Sequence, residues 1–227
     1  ETRWEVGVIR ERYGCSPTEY LERAGALSPR LSVAHGVQLT PDEIHLLAAR
    51  GVAVVHNPTS NMKLASGAAP VAELLAAGVT VGLGTDSNLS NNNLDMFEEM
   101  RLAALLQKHS RVDATALPCH TIWQMATRGS AQALGLWPAI GSLEVGKQAD
   151  IILVDLDQPH LWPLIRGKYS NLIEHLVYSA SAADVTYTIV AGQVLMAKRQ
   201  VLTLDVAEAR QAVQDATSQL LKRAGLI

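Results

Sequence analysis

LSVAHGVQLTPDEIHLLAARGVAVVH, residues 31–56, holds one full cycle of the pattern that decides the fold. Leu31-Ser32-Val33-Ala34-His35 and Val52-Ala53-Val54-Val55-His56 are short apolar runs, and each ends in a histidine. Between them, Thr40-Pro41-Asp42-Glu43 reads as a helix start. Thr40 is the N-cap, Pro41 occupies the first helical position, and Glu43 reaches back to close a capping box. The helix runs through Ala49 and stops at Gly51. Strands apolar on both faces and separated by a helix imply a βαβ unit and a parallel sheet.

The cycle continues outward from there. After a polar loop, Pro70 opens a helix through Ala77, Gly78 ends it, and Val79-Thr80-Val81-Gly82-Leu83 is a third strand. Leu94–Lys108 is a long amphipathic helix, and Thr121–Leu134 is another that ends at Gly135. The pattern then changes. Ile140-Gly141-Ser142-Leu143-Glu144-Val145-Gly146-Lys147 is punctuated by glycine, and Asp150–Val154, Val185–Val190 and Gln193–Met196 are short strands without long helices between them. Val206–Ala224 closes the chain as a helix with apolar residues at helical spacing.

Each strand of the first region ends in a polar residue: His35, His56, and Asp86 just beyond Gly84-Thr85. In (β/α)8 barrels the carboxyl ends of the strands carry the chemistry, and a whole barrel takes about 250 residues. The fold class expected is therefore α/β: half of a (β/α)8 TIM-like barrel over residues 1–139, part of a small β-sandwich domain over 140–204, and a C-terminal helix over 205–227.

Composition narrows the function classes. Of the 227 residues 48% are hydrophobic and 18% charged, ordinary values for a globular protein, and the net charge of −3 gives no pull toward nucleic acid or anionic lipid. Cys15 and Cys119 stand far apart with no CxxC spacing, so two idle or buried thiols are expected rather than a disulfide or a thiolate zinc site. Runs such as Leu74–Val81 are far too short to span a membrane. The chain opens Glu1-Thr2-Arg3-Trp4-Glu5-Val6, with neither an initiator Met nor a leader pattern. The expectation is a cytoplasmic protein, of which this chain is a piece cut from a longer polypeptide.

Taken alone, a histidine such as His35 at a strand end is more often structural than catalytic. Asp86, in Gly82-Leu83-Gly84-Thr85-Asp86-Ser87, could simply cap the next helix. Its functional reading is a carboxylate at a barrel mouth that binds a metal or takes a proton from water; histidine and carboxylate are the donors zinc accepts in hydrolytic sites. His56-Asn57-Pro58-Thr59-Ser60-Asn61-Met62-Lys63-Leu64 is either an ordinary turn or a substrate-binding loop, with His56, Asn57, Ser60 and Asn61 as the contacts. His45, His109, His120, His160 and His175, the four tryptophans and Arg101 read as surface or packing residues.

Several segments together resemble the amidohydrolase superfamily: Glu1 through Val6, Ala34-His35-Gly36, His56 through Leu64, Gly84-Thr85-Asp86-Ser87, Ser90 through Arg101, Gly141 through Asp150, and Val154 through Asp157. Within it they resemble the branch of 5′-methylthioadenosine/S-adenosylhomocysteine deaminases and triazine hydrolases, and the likeness spans nearly the whole chain. The resemblance implies the C-terminal half of the barrel of such an enzyme. Glu1 then looks like the glutamate that shuttles a proton between the attacking water and the ring nitrogen beside the attacked carbon. His35 looks like the histidine that polarises the hydroxide or the tetrahedral intermediate, and Asp86 like the last metal ligand and general base. One divalent metal, zinc by preference, is implied, but no His-x-His pair occurs and the ligand histidine expected three residues before Glu1 would fall before the chain begins, so the ligand set within this chain is expected to be incomplete. The implied activity is hydrolytic deamination of an adenine nucleoside or thionucleoside, a small-molecule substrate, by a homo-oligomer. The alternatives are a triazine or guanine-type aminohydrolase or chlorohydrolase, and a non-catalytic fragment.

Overall fold

Three capping boxes set the opening helices of the computed structural model, which describes residues 1–227. Thr2 with Glu5 starts α1 (Arg3–Tyr13), Ser16 with Glu19 starts α2 (Pro17–Arg23), and Thr40 with Glu43 starts α3 (Pro41–Arg50). In α3 the Thr40 backbone N–H donates to Glu43 Oε2 at 2.7 Å and the Glu43 N–H donates to Thr40 Oγ1 at 3.3 Å. Each such cap contributes about 1 kcal/mol. Gly51 then ends α3 in the left-handed conformation, as its sequence position requires.

The helices feed a parallel sheet. Strands β1 (Ser32–Ala34), β2 (Ala53–His56) and β3 (Val81–Leu83) lie in the order β1-β2-β3, with Val33 beside Val54, Val54 beside Val81 and His56 beside Leu83. Val54, Val81 and Leu83 are buried together with Val52, just before β2, and with Leu47, Val71 and Leu74 from the surrounding helices. Each such side chain contributes about 1.5–3 kcal/mol by leaving water. The segment after β2, read as a loop, is in fact the short helix α4 (Pro58–Lys63), started by Pro58 at its first position. After it come α5 (Val71–Ala76), α6 (Asn88–Asn91) and α7 (Met96–Arg111), the last capped by Asp95.

The helix expected over 121–134 begins two residues earlier, as α8 (Cys119–Gln124), passes through a π-helical turn (Met125–Gly129) and ends as α9 (Ser130–Ala133). It packs so closely on β3 that a Cβ on Gly129 would lie 2.3 Å from the Val81 carbonyl oxygen. Ser130 Oγ accepts from the Leu83 N–H at 3.0 Å and satisfies part of the open edge of β3. At the other side of the sheet the Ser32 hydroxyl donates to the Ala133 carbonyl.

This unit comprises Glu1–Lys147 and Leu156–Ala182, the latter including α10 (Leu172–Tyr178). The second unit comprises Gln148–Asp155 and Ala183–Ile227. It is an antiparallel meander of β4 (Ile151–Val154), β5 (Val185–Val190), β6 (Gln193–Ala197) and β7 (Gln200–Val201), followed by α11 (Val206–Arg223) behind an Asp205 cap. No helix is long and apolar enough to cross a membrane.

Candidate active site

The register that sets Ala34 beside Val55 and His56 beside Leu83 brings the three strand ends into one row. The backbone leaves the row by sharp turns. His35, one residue past β1, has φ 68°, and Asp86, three past β3, has φ 59°. Left-handed backbone in a residue with a side chain costs about 1–3 kcal/mol and persists only where its surroundings impose it. Here the glycines beside them mark how little room there is. A Cβ on Gly36 would sit 2.9 Å from Val54 Cγ1, and one on Gly84 would sit 3.0 Å from Asn57 Nδ2.

These turns bring Glu1, His35 and Asp86 together. His35 Nε2 lies 3.5 Å from Glu1 Oε2 and 3.9 Å from Asp86 Oδ2. Its other ring nitrogen, Nδ1, is 2.8 Å from Asn61 Oδ1. An amide oxygen only accepts, so Nδ1 donates to it and Nε2 faces the two carboxyl groups. Asn57 Oδ1 accepts from the His35 backbone N–H at 3.4 Å.

Asp86 Oδ2 accepts from both Ser60 Oγ and Ser90 Oγ, each at 2.7 Å. Burial pushes its carboxyl up, but the bonds from Ser60, Ser90 and the Ser87 backbone, with the His35 charge, outweigh burial and hold it below the usual aspartate range. It therefore stays anionic. Glu1 is held from another side: Ser66 Oγ donates to Glu1 Oε1 at 2.6 Å.

The four residues expected to touch substrate, His56, Asn57, Ser60 and Asn61, are 0%, 4%, 0% and 0% exposed. Asn57, Ser60 and Asn61 bond to His35 or Asp86 as described. His56 has no hydrogen-bond partner at either ring nitrogen, and burial, helped by the nearby His35 charge, lowers its pKa from 6.5 to about 4. Ser66, Ser90, Asn91 and Glu99 escaped the sequence reading. The only signal for the last three was the polar run Ser90-Asn91-Asn92-Asn93 ahead of the acidic start of α7.

An anionic carboxylate oriented by two hydroxyls is a donor that a divalent cation takes, and Asp86 fits that part. It is one donor. Among the described residues there is no group of three or more His, Cys, Asp or Glu that could hold an ion.

The chain as a whole is similar to known proteins. The 5-methylthioadenosine/S-adenosylhomocysteine deaminase of Desulforudis audaxviator is 53% identical over 205 residues, which cover 90% of this chain and 46% of that protein. A crystal structure of an adenosine deaminase from Xanthomonas campestris with bound zinc superposes with a TM-score of 0.92 at 42% identity, covering 98% of this chain and 49% of that one. The atrazine chlorohydrolase of Arthrobacter aurescens, in complex with zinc, gives a TM-score of 0.84 at 31% identity over 95% of this chain and 47% of that one. The chain thus spans about half the length of the relatives it matches. The profile of the amidohydrolase family covers residues 1–195, strand-end cluster included, and on that match the chain belongs to the amidohydrolase family.

Proposed function

We propose that this chain is the C-terminal part of a hydrolytic deaminase acting on the adenine ring of a nucleoside or thionucleoside, of the 5′-methylthioadenosine, S-adenosylhomocysteine or adenosine type. The observation that carries the reading is the His35 ring set between Glu1 and Asp86 at 3.5 and 3.9 Å. We take β1–β3 as consecutive strands of a (β/α)8 barrel, with the cluster at its carboxyl end. The deaminase name of a relative at 53% identity supports the substrate class.

The reaction replaces the exocyclic amine with water. The water oxygen bonds to the ring carbon, the carbon–nitrogen bond breaks, and ammonia leaves. Three groups manage the protons and charge. Asp86, kept anionic by Ser60 and Ser90, accepts a proton from the attacking water. Glu1, whose carboxyl is steadied by Ser66, carries a proton to the ring nitrogen beside the attacked carbon. His35, fixed by Asn61, turns Nε2 toward the oxygen that develops charge. Asn57, Ser60 and Asn61 serve the reaction by holding His35 and Asp86 in these positions. A divalent metal, zinc as in the solved relatives, would be held in part by Asp86 and would supply an acidified water there.

The same reading makes the intact protein a cytoplasmic homo-oligomer with a small-molecule substrate and neither nucleic acid nor membrane as partner. Dechlorination or deamination of a triazine is the second reading, favoured by the likeness to the chlorohydrolase fold. Incubating the intact protein with 5′-methylthioadenosine, adenosine, guanine and a chlorotriazine, and measuring ammonia and chloride, decides between them. Ammonia from the adenine nucleosides is expected. Chloride alone would move the assignment to the triazines, and no product from any of the four would leave a non-catalytic protein.

A further inference from the structure

Glu99 lies on the first turns of α7, outside the cluster, yet it is only 1% exposed. A buried carboxylate is costly, and an apolar side chain of similar volume would stabilise the fold as well or better. Its partners show what the carboxylate does that an apolar residue could not. Glu99 Oε1 accepts from Asn91 Nδ2 at 2.7 Å, and Oε2 accepts from the Thr59 backbone N–H at 3.3 Å. Asn91 and Thr59 lie on different segments, one following β3 and the other following β2.

Each partner leads to the site. The same Asn91 Nδ2 donates to the Thr85 carbonyl at 2.7 Å, and Asn91 Oδ1 accepts from the Asn93 N–H at 3.2 Å. Both amide hydrogens and the amide oxygen are thus engaged, which fixes the orientation of Asn91. Thr85 immediately precedes Asp86, the residue with φ 59°. Thr59 stands in α4 directly before Ser60 and Asn61, which bond to Asp86 Oδ2 at 2.7 Å and to His35 Nδ1 at 2.8 Å.

We propose that Glu99 is a positioning residue for the deaminase site. Its carboxylate braces both segments that carry the reacting groups, through Asn91 to the backbone beside Asp86 and through Thr59 to the helix that holds Asp86 and His35. Burial pushes its pKa up against the bonds from Thr59 and Asn91, so those two donors are what stabilise charge there. A glutamine of the same shape accepts through one atom only and turns an N–H toward the other donor.

The inference rests on the deaminase reading, and its test separates the two. In the intact protein assayed with 5′-methylthioadenosine, Glu99→Gln lowers kcat by about tenfold or more while KM changes little, because misplacing reacting groups costs rate rather than binding. Glu98→Gln, one residue away and bonded to Asn93 instead, leaves kcat unchanged. Asn91→Ala removes one arm without touching the buried charge and lowers kcat similarly; the double variant Glu99→Gln/Asn91→Ala is no worse than the worse single. A Glu99→Gln enzyme with parental kcat, or one whose loss in kcat only follows a drop in melting temperature, overturns the brace. If the parent releases no ammonia from any nucleoside, the deaminase reading falls. The His35 ring resonances then judge the brace alone at fixed pH, shifting in Glu99→Gln and not in Glu98→Gln if it holds, and unmoved in both if it does not.

Discussion

The two units both use left-handed residues at their strand ends, to different purposes. In the antiparallel unit Ala191 and Gly192 (φ 49° and 79°) join β5 to β6, and Lys198 and Arg199 (φ 49° and 64°) join β6 to β7. Two-residue loops with positive φ at both positions match the twist of antiparallel strands, so the conformation there closes a hairpin. Parallel strands need no such turn. In the parallel unit the same conformation occurs at His35 and Asp86, φ 68° and 59°, and α4, which follows β2, supplies Asn61 to His35 and Ser60 to Asp86. One backbone state thus serves connectivity in one unit and the aim of reacting groups in the other.

If that contrast is right, perturbing the two kinds of position should have opposite consequences. The largest effect is expected at Asp86. Asp86→Asn keeps the shape and removes the anion, and ammonia release by the intact protein should fall roughly 10³-fold, within the range for loss of a proton-transfer group. A rate within tenfold of the parent would break the comparison.

Next is His56, the buried strand-end residue between the two. The unfolded imidazole titrates near 6.5 and the folded one at about 4, so the unfolded chain takes up a proton that the folded one refuses. Stability is complete above about pH 6.5 and falls by about 3 kcal/mol as the pH drops to 4. Urea melts at successive pH values measure this, and His56→Leu should flatten that part of the curve; an unchanged slope would assign the loss to other groups.

A smaller loss is expected at Ser60. Ser60→Ala removes one of two hydroxyls on Asp86 Oδ2, and kcat should fall about tenfold, equivalent to about 1.4 kcal/mol. An unaltered kcat would mean that Ser90 alone suffices. The smallest effect belongs to the hairpin. Lys198→Asn places a residue that tolerates positive φ in the β6–β7 turn and should raise stability by about 0.5 kcal/mol with activity unchanged. A change in kcat there would blur the distinction between the units.

The parallel βαβ order was legible because its punctuation is chemical. Thr40, Pro41, Glu43 and Gly51 each occupy the one position where their backbone or side chain suits a helix end. β7 was not legible because its turn is Lys198-Arg199, which lacks the Gly or Asn that announces positive φ. Nor was α4, where hydrogen-bonding side chains suggest a loop until burial shows them turned inward to His35 and Asp86. The trio Glu1, His35 and Asp86 was reached partly from strand-end position and partly from family resemblance. Ser66 was out of reach because Glu1 lies 65 residues away in sequence, and the link from Glu99 to α4 because Thr59 lies 40 away, distances over which only the fold sets contact.

The central claim is that an adenine ring reacts in the space shared by Glu1, His35 and Asp86. A crystal structure of the intact protein with an unreactive adenine nucleoside analogue tests it most directly. The ring carbon that bears the amine is predicted to lie in contact with all three side chains, with Glu1 facing the adjacent ring nitrogen. A ring bound elsewhere, or one against which any of the three turns away, would contradict the account.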